Sequence, residues 1–146
     1  MAASRRILAI ETSCDETSAA VVEWHHGRIL VRSETVITQD AVHATYGGVV
    51  PELASRAHLE KLAPAIREAM QQAGVRPAGL DAVAAGHRPG LIGSLLVGTS
   101  AAKAFAWTIG KPFLGVDHVQ AHLAACHIAD HAPAYPAIGL VASEIG

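Results

Sequence analysis

The apolar period of this chain changes once, near Pro51, and that change limits the folds open to it. Before it, apolar residues fall in short runs between tight turns. Arg6 to Thr12 reads as a buried strand and Ser13 to Glu16 as a turn. Ser18 to Trp24 reads as a second strand and, after the turn His25-His26-Gly27, Arg28 to Thr38 as a third. Connections this short join antiparallel neighbours, so the three form a meander. After Pro51, the positions Leu59, Leu62, Ala63, Ile66, Met70 and Ala73 follow helical spacing. Pro51 suits a first helical turn and Gly74 a C-terminal stop, while Pro64 is expected to kink the helix or split it in two. Strand and helix then alternate: strand Leu80 to Ala85, helix Ile92 to Ile109, strand Pro112 to Val116, helix His118 to Ile128 and strand Ala137 to Ala142. The small residues Gly93, Gly98, Ala101, Ala102, Ala104 and Ala106 suit a helix pressed closely on a sheet.

The order β-β-β-α-β-α-β-α-β predicts an α/β lobe: a mixed sheet with helices, the ribonuclease-H-like layout that actin-like ATPases also use. Residues 1–146 fit one such lobe. Half of the residues are apolar (51 %) and only 16 % are charged, so some apolar surface is expected to face a further lobe or partner. A net charge of −2 gives no global basic field for nucleic acid, though local patches remain open to one. Two cysteines, Cys14 and Cys126, suit a reducing compartment better than a disulfide framework. No apolar run approaches a membrane span and no secretory signal leads the chain, so the expected location is cytoplasmic.

Two segments carry chemistry. His118 and His122 sit four residues apart, one turn above the other on a helix face, and can reach one divalent ion together. The blander reading is a pair of helix histidines with backbone or water partners. Asp117 is placed to support the pair from behind. Cys126 lies about 12 Å along the axis from His118, at ~1.5 Å rise per residue, so one ion does not join all three. Two ligands rarely suffice, and a third must come from elsewhere. A zinc protease is excluded: the position after His118 is Val119 and that before His122 is Ala121, where those motifs need glutamate. The second segment is Glu11-Thr12-Ser13-Cys14-Asp15-Glu16-Thr17, a turn between strands whose hydroxyls, amides and carboxylates can cradle a phosphate or a metal-bound water. Its blander reading is ordinary turn composition. The run Arg88-Pro89-Gly90-Leu91-Ile92-Gly93-Ser94 leads into a helix start able to hold an anion, or simply turns the chain. Glu52 and Arg56 can form a solvated pair at i, i+4, the reading that chemistry alone favours; a subunit or tRNA contact by Arg56 and His58 is the sharper one.

These segments, with Tyr46 to Arg56 and Pro89 to Gly98, together resemble the tRNA threonylcarbamoyladenosine-forming transferases, in the same order and over about Ile7 to Ser143. The resemblance implies an actin-like two-lobed enzyme, of which this chain carries the N-terminal lobe. It implies transfer of threonylcarbamoyl from threonylcarbamoyl-AMP to N6 of adenosine 37, in tRNAs reading codons that start with A. It implies one divalent ion, iron(II) or zinc, held by His118, His122 and an aspartate of the second lobe. Glu11 and Asp15 match the family's first cleft-lining loop, and Val141, Ala142 and Ser143 align with its substrate loop. It further implies hetero-oligomers with an actin-like paralogue and accessory subunits. Two departures stand out: Arg88 where the family has glycine, and Glu144-Ile145 where it has a glycine pair. A fragment ending there is expected to bind metal weakly and to be inactive alone. Two rivals remain. One is a non-catalytic actin-like partner subunit, which has no need of the histidine pair. The other is a ribonuclease-H-like nuclease, which needs an acid where the fourth strand offers Gly86-His87.

Overall fold

A computed structural model describes residues 4–128 and 133–142. Strands β1 (Arg5–Glu11), β2 (Thr17–His25) and β3 (Arg28–Ile37) form the antiparallel meander. Its β2–β3 turn places His26 at φ 48° and Gly27 at φ 81°, the two left-handed residues that match strand twist in a two-residue hairpin. Strands β4 (Ala82–Arg88) and β5 (Phe113–Asp117) join in parallel, giving one mixed sheet in the order β3-β2-β1-β4-β5.

Side-chain alternation gives the sheet two faces. Leu8, Ile10, Val21, Val83 and Ala85 point to one, where they pack with Leu62, Met70, Ala102 and Ala106 of the helices α2 (Pro51–Gln72) and α3 (Ile92–Thr108). The small residues of α3 allow the close approach expected of them. A Cβ on Gly98 would run into the Thr12 side chain, and one on Gly93 into Ser55 of α2. Both helices end on a left-handed glycine: Gly74 and Gly110 have φ 62° and 64°. There the following amides reach back to Met70 and Ala106, at 3.0 and 2.9 Å, and close the last turn. On the second face α4 (His118–Ala124) crosses the C-terminal ends of β4 and β5. Trp24, Val31, Val36 and Leu114 stay exposed there.

Four expectations need correction. Of the two outcomes expected of Pro64, the split does not occur: α2 runs unbroken for 22 residues. Pro64 and Glu60, whose carbonyl loses its partner, both lie on the exposed side, where water takes the place of the missing N–H. The helix expected to reach Ile128 ends at Ala124 and tightens into a 3-10 turn, Ala125–His127. A short helix, α1 (Asp40–His43), and a 3-10 turn, Ala44–Tyr46, precede α2 where no element was expected. The segment Ala137 to Ala142 is not a strand: it has no regular structure, and Ile138 and Leu140 are 101 % and 89 % exposed. An apolar run becomes a strand only where a ladder takes up its amides and carbonyls, and among the described residues this one has no such neighbour.

Candidate functional site

The site is built where β1, β4 and β5 end together. Asp117 closes β5 and caps α4, its carboxylate accepting the Gln120 amide at 3.1 Å. The next residue is His118, so the first turn of α4 starts at a fixed point on the sheet. Helical spacing then brings His122 above it. The two Nε2 atoms lie 2.9 Å apart, with the rings nearly perpendicular at 86°. His118 turns its other nitrogen, Nδ1, to the Glu11 carboxylate at 3.1 Å and to Ser13 Oγ at 3.3 Å. Glu11 also accepts the Ser13 amide.

The Glu11 carboxylate occupies its place because β4 has Gly86 beside it; a Cβ there would overlap Glu11. The same glycine removes the nuclease reading, which needs an acid on that neighbouring strand. Gly90 seats the next loop on the turn. A Cβ at Gly90 would fall 2.6 Å from the Ser13 carbonyl oxygen, which accepts the Leu91 amide at 2.8 Å. Arg88 does not point free to an anion: its Nε lies 3.2 Å from Asp117. The Asp117 carboxyl is held below the usual aspartate range, chiefly by the Gln120 amide and then by Arg88.

Ala9, Ala84 and Gly86 floor an open cavity of about 290 Å³, with Glu11, His118 and His122 at its rim. Of the residues expected to act, Glu11, His118 and His122 therefore come together. Asp15 shares the turn but lies against the Cys14 thiol, whose pKa is raised by burial of its surroundings and then by that carboxylate. Val141 and Ala142 lie in the irregular exposed segment, and Ser143 lies outside the described residues. Cys126 bonds the Leu123 carbonyl instead of joining the imidazoles. His58 is wholly buried and does not offer the outward contact expected of it; Arg56 is exposed and pairs with Glu52 at 2.7 Å. The phase of α2 carries a signal for His58, since it lies on one stripe with Ala54, Leu62, Ala65 and Ala69.

The donor set fits a divalent cation in part. Two imidazole nitrogens 2.9 Å apart can both lie ~2.0–2.1 Å from one ion. A carboxylate behind His118 Nδ1 is the usual companion of a metal-bound histidine, because it fixes the tautomer that leaves Nε2 bare. Among the described residues no group of three His, Cys, Asp or Glu side chains converges.

Residues 30–143 match the family described as TsaD: tRNA N6-adenosine threonylcarbamoyltransferase. The chain belongs to that family. It is 55 % identical over 138 residues to the tRNA N6-adenosine threonylcarbamoyltransferase of Anaeromyxobacter dehalogenans strain 2CP-C, covering 94 % of this chain and 40 % of that protein. It is 50 % identical over 144 residues to the protein of the same name from Rhodopirellula baltica, covering 97 % and 39 %. The chain thus spans about 40 % of the length of these relatives. Among solved structures it is similar to YeaZ from Pseudomonas aeruginosa, with a TM-score of 0.59 and 26 % identity over 82 % of this chain and 48 % of that one. The chain has an α/β fold of the actin-like, ribonuclease-H-like kind. Among its described residues no helix is long and apolar enough to cross a membrane.

Proposed function

We propose that this lobe supplies one wall of a threonylcarbamoyl-transfer site and two of the ligands to its cation. The reaction is transfer of threonylcarbamoyl from threonylcarbamoyl-AMP to N6 of adenosine 37 in tRNA. One observation carries the reading: the Nε2 atoms of His118 and His122 converge while Glu11 stands behind His118 Nδ1. When bound, iron(II) or zinc supplies Lewis acidity toward a carbonyl oxygen. Glu11 is then a positioning residue, accepting the Nδ1 proton of His118 and leaving Nε2 free to ligate. Ser13 steadies the same nitrogen, and the cavity beside the pair leaves room for a ligand's carbonyl. Among the described residues no third ligand joins the pair, so the 146-residue chain is expected to modify no tRNA by itself. Robust modification by the purified chain would defeat that expectation.

The likeness to YeaZ favours a second reading, an actin-like partner subunit without its own chemistry. Exposed Leu59 and Leu96, 68 % and 59 % accessible, flank an apolar groove between α2 and α3 that supports pairing with such a paralogue under either reading. The histidine pair separates the two. Titration with zinc should give one equivalent bound by the parent chain and none of comparable affinity by His118→Ala or His122→Ala. Equal stoichiometric binding by all three chains would leave the partner reading in place.

A further inference from the structure

Beneath the Glu11–Thr17 turn runs an enclosed row of polar groups. His58 has no accessible surface, and Thr17, Gln39 and His43 are 0 %, 1 % and 5 % exposed. His58 Nε2 lies 3.0 Å from the Cys14 carbonyl oxygen. A carbonyl only accepts, so Nε2 carries the hydrogen. Its Nδ1 lies 2.8 Å from Thr17 Oγ and 3.2 Å from Gln39 Nε2, and both can donate to it. Gln39 Oε1 accepts from His43 Nε2 at 3.2 Å, and His43 Nδ1 accepts from the Val50 amide at 3.3 Å. Every bond runs one way, from the Val50 amide to the Cys14 carbonyl. That direction leaves both rings neutral with hydrogen on Nε2. A second proton on His58 would face the Gln39 amide donor in a site with no accessible surface, and burial holds its pKa below the usual histidine value.

The bond at Cys14 matters because of its neighbours. The preceding carbonyl, of Ser13, is held by the Leu91 amide at 2.8 Å, and Ser94 Oγ approaches the Cys14 carbonyl at 3.4 Å. The turn is thus pinned from inside at two successive carbonyls, while its outer groups, Glu11 and Ser13, meet His118. We propose that His58 is a positioning residue, whose neutral Nε2–H, set by Thr17 and Gln39, fixes the Cys14 carbonyl and so the turn that aims Glu11 and Ser13 at His118. The hold on the turn stands by itself; its effect on a cation rests on the function proposed above.

The test uses the 146-residue chain in a Cys126→Ser background, comparing His58 with His58→Leu and His58→Gln. Glutamine places an amide N–H near the Nε2 position and can still donate to Cys14, whereas leucine cannot. Iodoacetamide labelling of Cys14 reports the turn, because its thiol is exposed but held protonated by the turn's own surroundings. Leucine should speed labelling by about tenfold, the ratio for one lost hydrogen bond to a buried acceptor, and weaken zinc binding several-fold. Glutamine should return both toward the parent values. Labelling by His58→Leu at the parent rate, or by His58→Gln as fast as by His58→Leu, overturns the proposal. So does a long-range ¹H–¹⁵N spectrum of the unaltered chain showing His58 at pH 7 as imidazolium or with hydrogen on Nδ1. That spectrum and the glutamine variant decide the matter if His58→Leu does not fold. If the labelling pattern holds but the parent chain binds no zinc, the cation reading fails and the role of His58 stands.

Discussion

His118 and His122 stand at the rim of a cavity with their Nε2 atoms facing each other, whereas His43 and His58 lie inside with every ring nitrogen already bonded. The same side chain serves opposite ends in the two places. Inside, each imidazole is a rigid two-ended connector, and its proton positions are dictated by what surrounds it. At the rim, among the described residues, one of the four nitrogens, His118 Nδ1, has partners on other elements. The other lone pairs are left to a ligand. Counting spent and unspent nitrogens therefore separates a structural histidine from one able to take a ligand.

The largest effect that tests this contrast is on stability. His58→Leu strands the Thr17 hydroxyl, the Gln39 amide and one hold on the Cys14 carbonyl. At about 1–3 kcal/mol for each buried group left unpaired, a loss of about 3 kcal/mol is expected in urea unfolding. His122→Ala, which strands nothing buried, should stay within ~0.5 kcal/mol. Similar losses in the two variants would erase the distinction. Acid extends the comparison. The folded pKa of His58 lies below its unfolded value, so as pH falls the unfolded chain takes up that proton first. The contribution of His58 is complete above about pH 6.5, the unperturbed histidine value, and shrinks as pH drops from there toward the folded pKa. In His58→Gln this part of the decline between neutral and mildly acidic pH should vanish.

A smaller effect concerns the packing beneath the turn. Gly98→Ala would drive a methyl group into Thr12, a buried residue whose hydroxyl donates to the Ser94 carbonyl at 2.8 Å. Over-packing of this kind costs about 1–3 kcal/mol, offset by roughly 1 kcal/mol of helix propensity. A net loss of about 1 kcal/mol is expected by thermal unfolding. Gly48→Ala, in a loop where a Cβ meets nothing within 4 Å, is the control for an unpacked position. If both changes are neutral, α3 has slack and the turn is held by hydrogen bonds alone.

Much of this was legible before any coordinates. The change of period at Pro51 marks the meander and the alternation after it, because a half-buried strand and an amphipathic helix stamp different repeats on the chain. The pairing of His118 with His122 follows from helix geometry, and Glu11 from a turn closing a buried strand. The false strand at Ala137 to Ala142 shows the limit of local reading, since apolar composition does not reveal whether a neighbour offers a ladder. The split allowed for at Pro64 does not occur for a related reason: the cost of its missing hydrogen bond depends on which side of α2 faces water. His58 was placed outside although the stripe through Ala54 and Leu62 points it inward. Its partners Gln39 and Cys14 lie 19 and 44 residues away, beyond any local pattern.

The smallest effect belongs to Arg88. Its ion pair with Asp117 bridges the Pro89–Gly90 loop and the start of α4, which suggests a clamp on the histidine pair. The energetics argue for a modest one. The Arg88 side chain is 68 % exposed, and pairs of that kind contribute about 0.2–1 kcal/mol and weaken with salt. Asp117 also keeps its bond to the Gln120 amide without Arg88, so the helix cap persists. Arg88→Gly should therefore lower stability by under about 1 kcal/mol, less still in high salt, and change zinc affinity by less than about threefold. A larger loss of zinc affinity, read by competition with a chromophoric chelator, would mean that the rim is held from outside. The view that buried partners such as His58 set its geometry would then fail.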